Sequence, residues 1–250
     1  MVMTPVLIVT RPASQGAAFA RDVQAQWRGP LRVICSPLIT IKRIPVDADL
    51  DLVTGLVFTS VNGVAAIEDL TLPSGLTAWC VGPKTAMRAK RAGFVPIVGP
   101  GDAAGLVHLI AKQDPTGTLA HIRGRYSRSA ISHELGAIGI HCLDVVAYDQ
   151  PSCPLTADAE KAVKGKDPVL FPLFSPRTGT ILSEHGPFVA ETHVVAISEA
   201  ARDAVAFSAT TVKTAGQPNE TAMITATLHT LTALTQGRGL GLGSLEGSGP

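Results

Sequence analysis

A chain of 250 residues with 46% apolar content can bury one large core or two modest ones, which excludes wholesale disorder. Its formal charge of +1 supplies no overall field to draw in nucleic acid, so any anion site has to be focal. Four scattered cysteines, Cys35, Cys80, Cys142 and Cys153, show neither C-x-x-C nor a Cys/His spacing suited to zinc, and read as buried free thiols. The histidines fall into no metal spacing either. The opening MVMTPVLIVTRP has no basic region and too short an apolar run for a signal peptide or a span, so a cytoplasmic location is expected.

Along the chain, short β-branched apolar runs alternate with small polar corners and Ala-rich stretches of helical spacing, the grammar of a parallel α/β fold. The first strand is expected at Val6–Thr10, running into VTRP, and the second at Arg32–Cys35. PLITIKRIP, Pro37–Pro45, then breaks the alternation with an extended, proline-bounded segment. Three strands follow at Gly55–Thr59, Ala78–Val81 and Val95–Val98, and each runs into a corner that opens a helix: FTSVNGV, VGPKTA and GPGDAAG. The last corner resembles a dinucleotide loop, but its third glycine falls one position late and no Walker lysine follows. It reads as a turn capped by Asp102.

Strands at Thr118–Ile122 and Ile140–Val146 come next, the first leading into HIRGRYSR, and VVAYDQPSCP, Val145–Pro154, is a second extended segment. Val169–Phe174, His193–Ile197 and Thr211–Thr214 complete ten strands, with corners LFSPRTG and AISEAA after the first two. Gln236–Pro250 is Gly- and Ser-rich without helical period, and is expected to be a flexible tail outside the fold.

The corners repeat. Ser60 aligns with Ser175, Gly82 with Ser198 and Asp102 with Asn219 at a nearly constant offset, and IVTRP resembles HIRGR at a similar one. Cutting at the two extended segments leaves an outer domain of residues 1–36 and 155–235 and an inserted domain of residues 46–145, with 37–45 and 146–154 as linker strands. A tandem cut near Pro115 is the other arrangement that periodicity allows.

VTRP, PLITI, FTSVNGV, VGPKTA, GDAAGL, VVAYDQP, LFSPRTG and AISEAA stand in the order found in uroporphyrinogen-III synthases, and the chain resembles that family over nearly everything before the tail. No single motif is specific; their order and spacing together are. The resemblance implies two parallel-sheet α/β domains of similar fold joined by a two-stranded linker, the second inserted in the first. It implies a cofactor-free, monomeric lyase that closes hydroxymethylbilane into uroporphyrinogen III, losing water and inverting the last pyrrole, in tetrapyrrole biosynthesis. Its partner would be that linear tetrapyrrole with its eight carboxylates, with room for transient contact with the preceding pathway enzyme and with neither nucleic acid nor membrane.

In open parallel sheets ligands lie beyond the carboxyl ends of the strands, which makes the corners candidate binders. Ser60, Gly82, Thr85, Ser175 and Ser198 could offer hydroxyls or backbone donors at helix N-termini, and ordinary N-capping explains them equally well. Arg11, Arg123 beside Gly124, and Arg177 sit on the same edge, with Lys84, Arg125 and Arg128 near them. Guanidinium forks suit carboxylates, and a solvated rim is the bland alternative. Of the two tyrosines, Tyr126 and Tyr148, the latter matches the family's linker tyrosine, which the resemblance makes the proton donor to the departing hydroxyl. AISEAA has Ser198 and Ala201 where many relatives carry Gly and Thr, so that corner is the weakest match. A non-catalytic cytosolic binder or sensor of a carboxylated metabolite stays open as the alternative, since it would share the corners and the arginines.

Overall fold

The fold is given by a computed structural model that describes residues 3–127 and 130–236. Arg128 and the expected tail beyond Gln236 lie outside the described residues, while Gln236 itself closes the last helix.

The chain opens with β1 (Val6–Val9), α1 (Ala13–Gln26) and β2 (Arg32–Cys35). It continues with β3 (Lys42–Arg43), β4 (Val53–Phe58), α2 (Val61–Ile67), β5 (Thr77–Cys80), α3 (Pro83–Arg91), β6 (Val95–Val98), α4 (Ala103–Gln113), β7 (Thr118–Gly124), α5 (Ile131–Ala137) and β8 (Cys142–Asp149). It ends with α6 (Ala157–Val163), β9 (Val169–Leu173), α7 (Pro176–Glu184), β10 (Thr192–Ala196), α8 (Glu199–Asp203), β11 (Thr211–Thr214) and α9 (Glu220–Gln236). All ten expected strands are present, and β3 is an addition too short to leave a periodic signal. Contacts group the elements into two compact units: residues up to Thr40 with those from Ser152 on, and Ile41–Pro151.

In the discontinuous unit, β11-β10-β9-β1-β2 form a parallel sheet. In the continuous unit the order is β3-β8-β7-β4-β5-β6, parallel except for β3, an edge strand antiparallel to β8. The two orders follow one plan. Three strands are laid outward from β9 or β4, and the chain's other two strands, β1-β2 or β7-β8, lie on the opposite side. The aligned corners occupy matching places in it: Ser60 and Ser175 cap the helices after β4 and β9, Gly82 and Ser198 those after β5 and β10, and Asp102 and Asn219 those after β6 and β11.

Strand alternation builds the core on both faces of the continuous unit's sheet. Leu56 and Phe58 of β4 pack with Val64 and Ile67 of α2 and with Ala86 and Ala89 of α3. Val57, one step out of phase, packs on the other face with Trp79, with Leu106 and Ile110 of α4, and with Ile131 and Leu135 of α5. In the discontinuous unit α1 buries Phe19, Ala20 and Val23, a helical stripe, against Leu7 and Val9 of β1 and Met223 and Leu231 of α9.

Within Pro37–Pro45 only β3 is strand; Lys42 pairs with Asp149 and Arg43 with Tyr148, and Ile39 bridges to Ser152. β8 runs unbroken from the core sheet into the second extended segment. The four cysteines form no disulfide among the described residues, and only Cys80 is buried. The expectation of buried thiols fails most clearly at Cys35, which is exposed because β2 is an edge strand whose alternate residues face outward. Among the described residues no helix is long and apolar enough to cross a membrane, and no group of three or more His, Cys, Asp or Glu could hold a metal ion.

Candidate active site

In an open parallel sheet, strand order reverses at one point, where neighbouring connections leave in opposite directions and open a crevice beyond the carboxyl ends. In the continuous unit that point lies between β4 and β7. A pocket of about 420 Å³ occupies it, lined by Thr59 and Ser60 after β4, Gly101 and Asp102 after β6, Gly124 at the end of β7, and Tyr148 on β8, among others.

Ser60 enters the helix in extended conformation, and its Oγ accepts the Asn62 N–H at 3.2 Å, so it caps α2. The Ser60 side chain and the Gly124 backbone also hydrogen-bond with the Tyr148 phenol, and both favour its ionised form. Tyr148 is 5% exposed. Burial raises its pKa above the ordinary phenol value, while the Ser60 hydroxyl, the Gly124 backbone and the positive charge of Arg123 oppose that rise. The phenol is therefore protonated at neutral pH.

Gly124 is held to glycine by the ring beside it. A Cβ there would stand 2.5 Å from Tyr148 Cε2 and 2.6 Å from Gln150 Oε1. Gly101 has a φ of +114°, a conformation that suits only glycine, and Asp102 Oδ1 caps α4 through the Gly105 N–H at 2.8 Å. GPGDAAG is therefore the turn its sequence suggests, yet Gly101 and Asp102 also face the pocket.

Other expected residues lie elsewhere. Thr85 is buried in the first turns of α3, and Gly82 caps that helix with only the Gly101 Cα, 4.0 Å away, near the place of a side chain. Arg123 forms a fork with Asp144, Nε to Oδ1 at 2.6 Å and Nη2 to Oδ2 at 2.5 Å. No arginine or lysine is among the described lining residues of the pocket.

In the discontinuous unit the order reverses between β9 and β1. Arg11, just past β1, pairs with Glu220 at 2.8 Å and Gln15 at 3.1 Å and stacks on Phe174 with its guanidinium 4.0 Å from the ring centre. Ser175 Oγ caps α7 through the Thr178 N–H at 3.1 Å, Arg177 is the second residue of that helix, and Ser198 Oγ caps α8 through the Ala201 N–H at 3.3 Å. The serines are thus all caps. Thr59, Asn62 and Gln150 also line the pocket; they stand inside FTSVNGV and VVAYDQP but are not singled out within them.

Comparison with known proteins bears on the whole arrangement. The crystal structure of uroporphyrinogen-III synthetase from Helicobacter pylori matches with a TM-score of 0.65 and 16% identity, over 91% of this chain and 100% of that one. A mutant uroporphyrinogen III synthase from the extremely thermophilic bacterium Thermus thermophilus matches with a TM-score of 0.52 and 15% identity, over 94% and 99%. At such identities the likeness shows the fold, mixed α/β with parallel-dominated sheets. The family profile described as uroporphyrinogen-III synthase HemD matches residues 24–225, a span that runs through both sheets and encloses the whole switch-point pocket. This chain belongs to the uroporphyrinogen-III synthase family.

Proposed function

We propose that the chain acts in the cytoplasm as a monomer on hydroxymethylbilane, closing it into uroporphyrinogen III, with Tyr148 as the acid that helps expel the terminal hydroxyl. The family is one of cyclising lyases of tetrapyrrole biosynthesis. The observation that carries the role of Tyr148 is its placement: a buried phenol facing a pocket at the switch point, hydrogen-bonded by Ser60 and Gly124.

The terminal C–O bond breaks as the adjacent pyrrole nitrogen pushes electrons outward, and the phenol proton goes to the departing hydroxyl, which leaves as water. Ser60 and the Gly124 N–H then hold the phenolate in a water-poor site. The resulting azafulvenium carbon is attacked by the substituted position of the last ring, giving a spiro intermediate. Fragmentation and reclosure invert that ring, and the proton lost at the final rearomatisation restores the phenol. The substrate supplies most of the electronic push, so the protein's main contribution is positioning.

The two units read as domains of common descent. The outer comprises residues 1–36 and 155–235, the inserted one residues 46–145, and a two-stranded linker of residues 37–45 and 146–154 joins them. The shared strand plan and the matching caps support this, as does the pairing of β3 with β8. Substrate carboxylates are assigned to the corners at Ser60, Gly82 and Thr85 and at Ser175, Arg177 and Ser198. Arg11 joins them only by exchanging Glu220 for a substrate carboxylate.

Tyr148→Phe removes the hydroxyl and keeps the ring. The loss should fall in kcat, roughly 10²-fold or about 2.7 kcal/mol of barrier, with KM little changed and isomer III still the product. A variant that turns over at the wild-type rate would exclude the phenol as an essential acid.

A further inference from the structure

β7 and β8 run in register from Leu119 opposite Cys142 to Arg123 opposite Val146, and then slip: Gly124 faces Tyr148, leaving Ala147 as an extra residue on β8. Without that slip Ala147 would face Gly124. The bulge is what sets the tyrosine ring against the one residue that has no Cβ, where an added methyl would stand 2.5 Å from Cε2 and 2.7 Å from Cζ. A displaced register needs something to hold it, because the extra residue interrupts the ladder.

Arg123 is the last residue before the slip. Its Nε and Nη2 grip Asp144 on β8, and its remaining nitrogen, Nη1, donates to the carbonyls of Gly124 at 3.0 Å and Arg125 at 3.4 Å, just beyond the slip. The Arg125 N–H in turn donates to the Tyr148 carbonyl at 2.9 Å. The Ser132 side chain on α5 also hydrogen-bonds with Asp144. One planar side chain therefore ties β8 to the backbone on the far side of the bulge, with every nitrogen of its fork committed to the protein.

We propose that Arg123, forked to Asp144, is a positioning residue that pins the β7–β8 bulge and so aims the Tyr148 phenol into the pocket, rather than a ligand for substrate carboxylates. The proposal rests on the acid role of Tyr148. It predicts a different kinetic pattern from a carboxylate contact: a misplaced acid lowers kcat, whereas a lost contact to a distant carboxylate raises KM. A lysine separates the two further, because it keeps the charge and cannot reproduce the fork.

The test uses Tyr126→Phe as the reference protein, so that Tyr148 is the only phenol in the chain. In that background Arg123→Lys and Arg123→Gln should each lower kcat by about tenfold to a hundredfold with KM within about twofold of the reference, and lysine should not rescue. Nitration of Tyr148 by tetranitromethane, followed as nitrotyrosine, should be slow in the reference and about tenfold or more faster in both variants as the ring loosens. Gly124→Ala approaches the same ring from the other side with the fork intact, and should lose kcat in the same range; it keeps the test alive if the arginine variants do not fold. A raised KM in Arg123→Gln that Arg123→Lys restores would overturn the proposal, as would unchanged nitration. Should Tyr148→Phe keep the wild-type rate, the acid reading falls, and nitration still decides whether Arg123 holds the ring.

Discussion

At the residue scale, two buried groups of the β7–β8 region set opposite pH limits. His121 on β7 is fully buried, with neither ring nitrogen hydrogen-bonded and Nδ1 3.9 Å from the nearest Asp144 oxygen, too far for a hydrogen bond. Burial, aided by the Arg123 charge and opposed by Asp144, lowers its pKa from 6.5 to about 4. The unfolded chain then binds the extra proton between these values, so stability is complete above about pH 6.5 and is lost as pH falls towards 4, by about 3 kcal/mol in all. Replacing it with an apolar residue, His121→Leu, should flatten the dependence of the urea midpoint on pH across that window. An undiminished slope would place the acid sensitivity elsewhere. Tyr148 works from the other side: its raised pKa keeps the phenol protonated, so if it is the proposed acid the alkaline limb of kcat should lie above the ordinary phenol range. A limb below that range would mean that another group controls the step.

At the element scale, the sequence made the strands and their corners legible because both leave local signals. A β-branched run followed by a Ser or Asp two or three residues ahead of a helical amide is readable without tertiary information, and Ser60, Asp102, Ser175 and Ser198 all cap as that pattern suggests. The bulge, the Arg123 fork and the exposure of Cys35 were not legible, since each depends on which strand lies alongside. Arg123 looked like a ligand for carboxylates because a strand-end arginine has the same sequence signature whether its carboxylate comes from a substrate or from Asp144 on the next strand. Capping also makes a prediction. Ser175→Ala should lower the unfolding free energy by about 1 kcal/mol, as the Thr178 N–H loses its acceptor. If stability holds and only KM rises, Ser175 serves substrate and not the helix.

At the scale of the whole molecule, one strand plan is used twice with the chain entering it at different points. The continuous unit lays down β4, β5 and β6 before β7 and β8, whereas the discontinuous one begins with β1 and β2 and returns for β9, β10 and β11 after the intervening unit. Each copy has its own order reversal, and beside each an arginine, Arg11 just past β1 or Arg123 near the end of β7, pairs with an acidic residue of its own unit. That parallel favours Arg11 and Arg123 as braces of their own corners. If the site's shape directs ring closure, the isomer formed reports it. Hydroxymethylbilane closes on its own to isomer I, so the most direct measurement adds the protein to freshly generated hydroxymethylbilane and separates the oxidised products by isomer. Isomer III in excess, in proportion to the protein added, is the expected result; isomer I alone, at the rate seen without protein, would rule out a directing role.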